Sequence, residues 1–220
     1  SMPPGSAEHV QALEGLAAVC GRLARSLEQA EHLASLRDAL PPTARGRRGE
    51  LALSRARILA EHADHQQEAR DAARDAATDL VDGAPWARAL RLRLRLSEGK
   101  EALEVLQELL EAKRANDDEL AELGRRARAA GEHDLAIRSY RALLERDPNH
   151  RSGKELVGLL RQQGRPREAA ELLEHQATAL LTRGDAARAA GDMLLDLAAL
   201  LGELGEADRR LVALRQAAAA

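Results

Sequence analysis

The sequence predicts an all-α protein, and three observations support this class. Aromatic residues make up only 1% of the 220 residues, with one Trp, one Tyr and no Phe. The core must therefore be built from Leu and Ala, which favour helices most strongly. The β-branched and aromatic residues that strands prefer are scarce. Apolar residues also recur with helical spacing and with a longer period of 34 residues.

The longer period is clearest between residues 83–116 and 117–150. At an offset of 34, Ala102 aligns with Ala136 and Leu106 aligns with Tyr140. Five further pairs match at this offset: Trp86 with Leu120, Ala87 with Ala121, Leu103 with Ile137, Leu109 with Leu143, and Leu110 with Leu144. The same apolar stripe therefore occurs twice, which predicts a repeated structural unit.

Each unit is predicted to contain two helices. Residues 120–127 and 136–144 carry apolar side chains at helical spacing. Gly131 is predicted to end the first helix, because glycine readily takes the left-handed conformation at a helix C-terminus. Pro148 is predicted to stop the second helix, because proline disfavours helical geometry in the residue before it.

The unit recurs along the whole chain with small changes in spacing. Gly124 aligns with Gly158, and alanines mark equivalent positions at gaps of 39, 33, 34, 33 and 38 residues: Ala30, Ala69, Ala102, Ala136, Ala169 and Ala207. We therefore predict a single domain, residues 1–220, of about six antiparallel helix pairs. Their approximate limits are 8–44, 50–82, 83–116, 117–150, 151–183 and 184–217.

One segment has a competing interpretation. Residues 88–96 alternate polar and apolar side chains with period two, a pattern that by itself indicates a strand. Helix is the preferred interpretation, because the segment lies where the first helix of a unit belongs and Leu and Arg favour helices. An isolated strand among helices would also have no edge with which to pair.

The pattern resembles the tetratricopeptide repeat, a 34-residue helix–turn–helix unit that stacks into a superhelix. Five features carry the resemblance: Gly124, the turn from Gly131 to Ala136, Tyr140, the Asp147-Pro148-Asn149 segment and Trp86. They fall within residues 83–165, whereas the other units keep the helical pairing and lack most signature residues. The resemblance implies a right-handed α-α superhelix, a tetratricopeptide-like solenoid. Its first helices would line a concave groove that holds a segment of a partner protein.

Under this alignment, arginines line the groove of the middle repeats. Arg91 and Arg125 are one repeat apart, and Arg95 and Arg128 follow about one turn later in their helices. Arg88, Arg91 and Arg95 also share one helical face. Together the five arginines form a candidate basic strip. A guanidinium donates two parallel hydrogen bonds to a carboxylate, so the strip suits an acidic segment or a terminal carboxylate.

An alternative interpretation is that these arginines are ordinary solvated helix surface. Glutamates suitable for pairing lie nearby, at Glu98, Glu119 and Glu122. The carboxylate-clamping members of the tetratricopeptide family use a Lys/Asn constellation on their inner helices. The asparagines of that constellation are missing here, which disfavours that subtype.

Composition narrows the class of partner and the compartment. The net charge of −3 and the two aromatic rings argue against a nucleic-acid partner, which usually requires a basic surface or stacking platforms. No apolar run reaches the roughly 20 residues of a membrane span. The single cysteine, Cys20, fits a reducing compartment, and no signal peptide is visible, so cytoplasm is the default. Usage rich in Ala, Arg and Leu suggests a bacterial source.

The sequence shows no enzyme signature, and no cofactor or metal is predicted. His62 and His65 have near-ligand spacing on a helix, but a zinc site needs three or four convergent ligands. Neither a phosphate-binding glycine loop nor a zinc-protease motif occurs. We therefore expect a non-catalytic scaffold for protein–protein interaction. The alternative is a regulatory or sensor module cut from a larger signalling or transcriptional protein.

Overall fold

The computed structural model describes residues 5–183 and 187–220, and within them it contains twelve α-helices, one 3-10 turn and no strand. The helices are α1 (Ala7–Arg22), α2 (Ser26–Ala39), α3 (Arg45–Ala60), α4 (Gln66–Leu80), α5 (Gly83–Leu96), α6 (Gly99–Glu111), α7 (Asp117–Ala129), α8 (His133–Arg146), α9 (Ser152–Gln162), α10 (Pro166–Arg183), α11 (Ala187–Glu203) and α12 (Ala207–Ala219). The 3-10 turn, Ala63–His65, precedes α4. This confirms the all-α class. Residues 88–96 lie in α5, which confirms helix for the alternating segment.

Consecutive helices form pairs, with connections of two to five residues between the members of each described pair. Such short connections make neighbouring helices antiparallel. The pairs are α1/α2, α3/α4, α5/α6, α7/α8, α9/α10 and α11/α12, and in each pair we name the earlier helix the first helix and the later one the second helix. The described residues thus confirm a helical repeat of about six antiparallel pairs. None of their helices is both long and apolar enough to span a membrane.

The chain divides into two compact units, one with α1–α6 ending at Arg114 and one with α7–α12 beginning at Ala115. Within each unit, helices pack mainly against their neighbours in the chain, as in a helical repeat. The assignment of residues 1–220 to one domain, the repeat limits and the right-handed sense stay predictions. The predicted starts at residues 1 and 184 lie outside the described residues.

In the first unit, α3 and α4 approach each other through small side chains. The buried stripe of α4 consists of alanines alone: Ala69, Ala72, Ala73 and Ala76. Three of these pack in one cluster with three buried residues of α3: Ala52, Leu53 and Ala56. Small residues at the contact let the two helix backbones come close, which offsets the lack of bulky side chains.

In the second unit, the ring of Tyr140 on α8 packs against the backbone of Gly124 on α7. Tyr140 is fully buried. A Cβ built on Gly124 would lie 2.6 Å from Cδ1 and Cζ of the ring, and closer still to Cε1. Only glycine leaves room for the ring at this place. Tyr140 is therefore a packing residue between α7 and α8.

The structure also confirms the two predicted helix ends. Gly131, the second residue after α7, has φ of 79°, and the N–H of Glu132 donates to the carbonyl oxygen of Ala127 at 2.8 Å. This backbone geometry closes a helix C-terminus and is strained for residues other than glycine. α8 ends at Arg146, two residues before Pro148.

The predicted equivalence of Gly124 and Gly158 is wrong. Burial shows an offset of 33 between α7 and α9, because the buried residues Leu123 and Ala127 correspond to the buried residues Leu156 and Leu160. Position 124 therefore corresponds to Val157. A Cβ on Gly158 would meet no atom within 4 Å, so this glycine faces open space. Aligning the two glycines by residue type therefore paired Gly124, which packs against a ring, with a glycine that faces open space.

Replacing Gly124 with Ala should destabilise the second unit. The added methyl overlaps the Tyr140 ring, and overpacking of this kind costs about 1–3 kcal/mol. Urea unfolding followed by circular dichroism should show a lower midpoint for Gly124→Ala. Adding Tyr140→Leu should restore part of the loss. At the offset of 33, Leu173 and Val157 correspond to Tyr140 and Gly124, so a residue larger than glycine is accommodated there opposite a leucine.

Gly158→Ala provides the matched control for this prediction. It places the same methyl in open space, so helix propensity alone should stabilise the protein by up to about 1 kcal/mol. Equal effects of the two substitutions would contradict the proposed contact between Gly124 and Tyr140.

Candidate functional site

Three of the five arginines predicted for the basic strip lie on α5, in the first unit. Arg88 and Arg95 are exposed. Arg91 is half-buried, and its Nη2 donates to the carbonyl oxygen of Arg114 at 2.8 Å. This bond fixes the segment that follows α6 and gives Arg91 a structural task that the sequence did not reveal.

The other two arginines, Arg125 and Arg128, lie on α7 in the second unit. Both are exposed and lie one turn apart on the same helix. Arg125 forms an ion pair with Glu122, as the surface interpretation expected. Arg88, Arg91 and Arg95 belong to the other unit, so a single strip of all five arginines stays a prediction.

Arg125 and Arg128 lie near a buried hydroxyl group. The hydroxyl oxygen of Tyr140 has no hydrogen-bond partner within the part of the chain that the structure describes. Burial raises the pKa of the Tyr140 phenol, the nearby Glu155 carboxylate raises it further, and the positive charges of Arg128 and Arg125 oppose this shift. The charges of one carboxylate on α9 and two guanidinium groups on α7 thus act on a single tyrosine.

Basic residues also lie on the exposed side of α9. At the offset of 33, Lys154 corresponds to Ala121, and Arg161 corresponds to Arg128. Lys154 and Arg161 are both exposed. We call the set Arg125, Arg128, Lys154 and Arg161 the basic face. It consists of cationic side chains on corresponding surfaces of two successive first helices.

A groove lies next to the basic face, between α9 and α11. It has a volume of about 320 Å³, and apolar side chains of Val157, Leu173 and Leu200 contribute to its lining. Lys154 and Arg161 line its α9 side, where Nη2 of Arg161 pairs with Oε2 of Glu203 at 2.9 Å. We name it the α9–α11 groove. It offers an apolar surface with cationic groups on its α9 side and the carboxylate of Asp196 on its α11 side.

Sequence reasoning missed Lys154, Glu155 and Arg161. The offset of 34 aligned Arg161 with Ala127, a core position, and so hid its relation to Arg128. The apolar spacing of α9 taken alone, with Leu156, Leu159 and Leu160 on one side, is the signal that identifies the exposed side.

The two histidines with near-ligand spacing, His62 and His65, contact other protein groups. The rings of His62 and His65 are 6.3 Å apart, and Nε2 of His62 lies 2.9 Å from Oγ of Ser26. His65 bonds Glu68 at 2.9 Å. In residues 5–183 and 187–220, no group of three or more His, Cys, Asp or Glu side chains has an arrangement that would hold a metal ion.

Comparison with known proteins gives loose structural likenesses. No family model and no curated protein matches the chain. A crystal structure of MamA protein is similar with a TM-score of 0.46 and 15% identity, over 78% of this chain and 91% of that one. A putative kinesin light chain from Podospora anserina with nearly identical TPR-like repeats has a TM-score of 0.37 and 16% identity, over 100% and 96% of the two chains. At such scores, the assignment of a helical repeat rests on the helix pairs of this chain itself.

The raised pKa of Tyr140 predicts a loss of stability at alkaline pH. The phenol ionises near pH 10 in the unfolded chain and at higher pH in the folded chain. The stability that it contributes is therefore present below about pH 10 and is lost as the pH rises further. Because Tyr140 is the only tyrosine, phenolate absorbance reports on it alone, and it should appear at lower pH in denaturant than in native buffer.

Tyr140→Phe is the control for this titration. It should abolish the absorbance change and reduce the alkaline loss of stability. The unfolding free energy at neutral pH should change by less than about 1 kcal/mol, since the hydroxyl has no hydrogen-bond partner among the described residues. Ionisation of Tyr140 at the same pH in native and denatured protein would contradict its burial.

Proposed function

We propose that this chain is a non-catalytic interaction scaffold whose basic face binds an acidic segment of a partner protein. The observation that carries the proposal is the presence of exposed cationic side chains on corresponding surfaces of α7 and α9, next to an apolar groove. A surface made of successive helices presents such groups at regular intervals, which suits an extended chain.

The chemistry of the basic face supports a partner with carboxylates. Guanidinium groups bind carboxylates through paired hydrogen bonds, which makes arginine well suited to recognising Asp, Glu or a chain terminus. Two of the arginines pair with a glutamate, Arg125 with the half-buried Glu122 and Arg161 with the exposed Glu203. Exposed ion pairs are weak, so carboxylates of a bound segment can replace them at small cost.

The α9–α11 groove supports an apolar residue within the same segment. Its lining of Val157, Leu173 and Leu200 gives an apolar side chain a place to leave water. The bound segment would thus combine acidic residues with at least one aliphatic or aromatic residue. Arg88 and Arg95 of the first unit are also exposed. We propose that they bind a second set of carboxylates of a partner.

The alternative proposal is a regulatory or sensor module, in which the same face meets an effector domain of its own longer chain or a small ligand. We also propose that the protein is bacterial and cytoplasmic, and that it binds neither nucleic acid nor membranes. The full gene in which this sequence lies would distinguish the two functions. A kinase or DNA-binding segment next to this sequence would favour the regulatory module.

Charge reversal of α7 tests the scaffold proposal. The double variant Arg125→Glu/Arg128→Glu places carboxylates where the bound segment needs cations. Binding of a fluorescent peptide of alternating Glu and Leu, measured by anisotropy, should weaken by at least about tenfold, which corresponds to about 1.4 kcal/mol. The helical circular dichroism spectrum should stay unchanged because both side chains are exposed.

The matched control is Arg138→Glu/Arg167→Glu, which changes the net charge equally at exposed positions of the second helices α8 and α10. It should bind the acidic peptide at nearly wild-type strength. An equal loss in both double variants would show that net charge alone governs binding, and the basic face would then not be the site.

A further inference from the structure

The two sides of the α9–α11 groove carry opposite charge. Lys154 and Arg161 line it from α9, whereas Asp196 lines it from α11. Glu203, which pairs with Arg161, also belongs to α11. All four side chains are exposed. The groove between these two first helices therefore has a basic side and an acidic side.

The opposite charges meet at one point of the groove and stay apart at another. Nη2 of Arg161 lies 2.9 Å from Oε2 of Glu203. Lys154 and Asp196 each stand seven residues earlier on their helices, which corresponds to about two turns, or about 10 Å. Neither Lys154 nor Asp196 makes an ion pair within the described part of the chain. Their charges are therefore available to an occupant of the groove.

One more residue extends each side. Arg151 lies three residues before Lys154, and Asp192 lies four residues before Asp196, so each stands about one turn away. Both are exposed and form no ion pair in residues 5–183 and 187–220. We name Arg151, Lys154 and Arg161 the basic edge, and Asp192, Asp196 and Glu203 the acidic edge.

The floor between the two edges is apolar. Val157 of α9, Leu173 of α10, and Ala199 and Leu200 of α11 contribute to it. Gly158 also lines the groove, and a Cβ built on it would meet no atom within 4 Å. The α9 wall thus has no side chain at this place that would fill the groove.

Three parallel rows of contacts, one basic, one apolar and one acidic, match an amphipathic helix. A helix presents an apolar stripe with a polar flank on each side of it. An extended segment alternates its side chains between two opposite faces, so it presents one row to the floor and has fewer groups for the two edges. Helices bind grooves of other proteins through such apolar stripes.

We infer that the α9–α11 groove binds an amphipathic helix of a partner protein, with acidic residues on one flank of its apolar stripe and basic residues on the other. The acidic flank pairs with the basic edge, and the basic flank pairs with the acidic edge. The apolar stripe covers Val157 and Leu200. Charge complementarity at both edges selects this occupant, because a helix with two acidic flanks would place carboxylates against Asp196.

This inference rests on the proposed function and specifies it. The acidic residues of the partner are assigned to one flank, and a basic flank that faces α11 is added. The pattern of charge on the partner, and not its net charge, then determines binding.

The test compares three fluorescent helical peptides with the same leucine stripe and the same length. The mixed peptide has Glu on one flank and Lys on the other, the acidic peptide has Glu on both flanks, and the basic peptide has Lys on both flanks. Measured by anisotropy with the wild-type chain, the mixed peptide should bind at least about tenfold more tightly than either of the others. Net charge cannot produce this order, because the chain carries −3 and would favour the basic peptide.

Reversal of the acidic edge supplies a gain of binding as the readout. Asp192→Lys/Asp196→Lys should weaken binding of the mixed peptide by at least about tenfold, and it should bind the acidic peptide more tightly than wild type does. Loss of folding would not produce such a gain.

The matched control is Glu145→Lys/Glu171→Lys, which makes the same change of charge in the same unit. These two exposed glutamates line another groove, of about 270 Å³, between the second helices α8 and α10. The control should keep the preference for the mixed peptide. An equal change of preference in both double variants would overturn the inference.

Gly158→Leu tests the apolar floor without any change of charge. The added side chain starts in open space, so it should leave the helical circular dichroism spectrum unchanged while it weakens binding of the mixed peptide by at least about tenfold. Wild-type binding of the mixed peptide no tighter than that of the acidic peptide would overturn the inference and leave the scaffold proposal standing. Failure of the wild-type chain to bind any of the three peptides would overturn both.

Discussion

Close approach between consecutive helices is the constraint on which this structure depends. A core with one tyrosine and no phenylalanine has few bulky side chains with which to fill gaps. Two helices can then either pack at a short distance through small side chains, or pair a large side chain on one helix with a glycine on the other. α4 does the first by burying only alanines against α3. The second unit does the second, since the largest ring in the core lies over a glycine on the facing helix. Protein interiors leave little empty space, and both solutions satisfy that requirement.

This mode of packing also determines which side chains reach solvent. A helix that packs against its predecessor and its successor has one exposed side left, and residues on that side contribute little to the core. Arg128 and Arg161 occupy corresponding exposed positions, while the core residues around them keep the same register. Charges can therefore change from repeat to repeat without loss of packing. The basic face thus follows from the repeat geometry together with the local choice of surface residues.

The sequence predicted the fold well where a residue has only one physical explanation. Gly131 and Pro148 end helices for backbone reasons, and burial of Tyr140 follows from helical spacing. The sequence predicted the site less well. Arg91 is held by a carbonyl group outside its own helix, a contact that no spacing reveals. Gly158 misled the alignment, because a glycine in a helix can either make room for a ring or simply face solvent. The two cases can be distinguished only from the burial of the leucines around each glycine, which the structure provides.

The two grooves of the second unit differ in the charges that line them. The α9–α11 groove has cationic groups on one side and a carboxylate on the other, while the groove between the second helices α8 and α10 exposes glutamate. Gln176 of α10 occupies a position where leucine is the residue of the two preceding units, and a lone buried amide oxygen is costly. Packing accounts for this glutamine, because its amide faces α9, where Gly153 stands at the position that corresponds to Leu120 and leaves room for it. Its Nε2 also binds the carbonyl oxygen of Pro148, so glycine on one helix and glutamine on the next exchange volume as Gly124 and Tyr140 do.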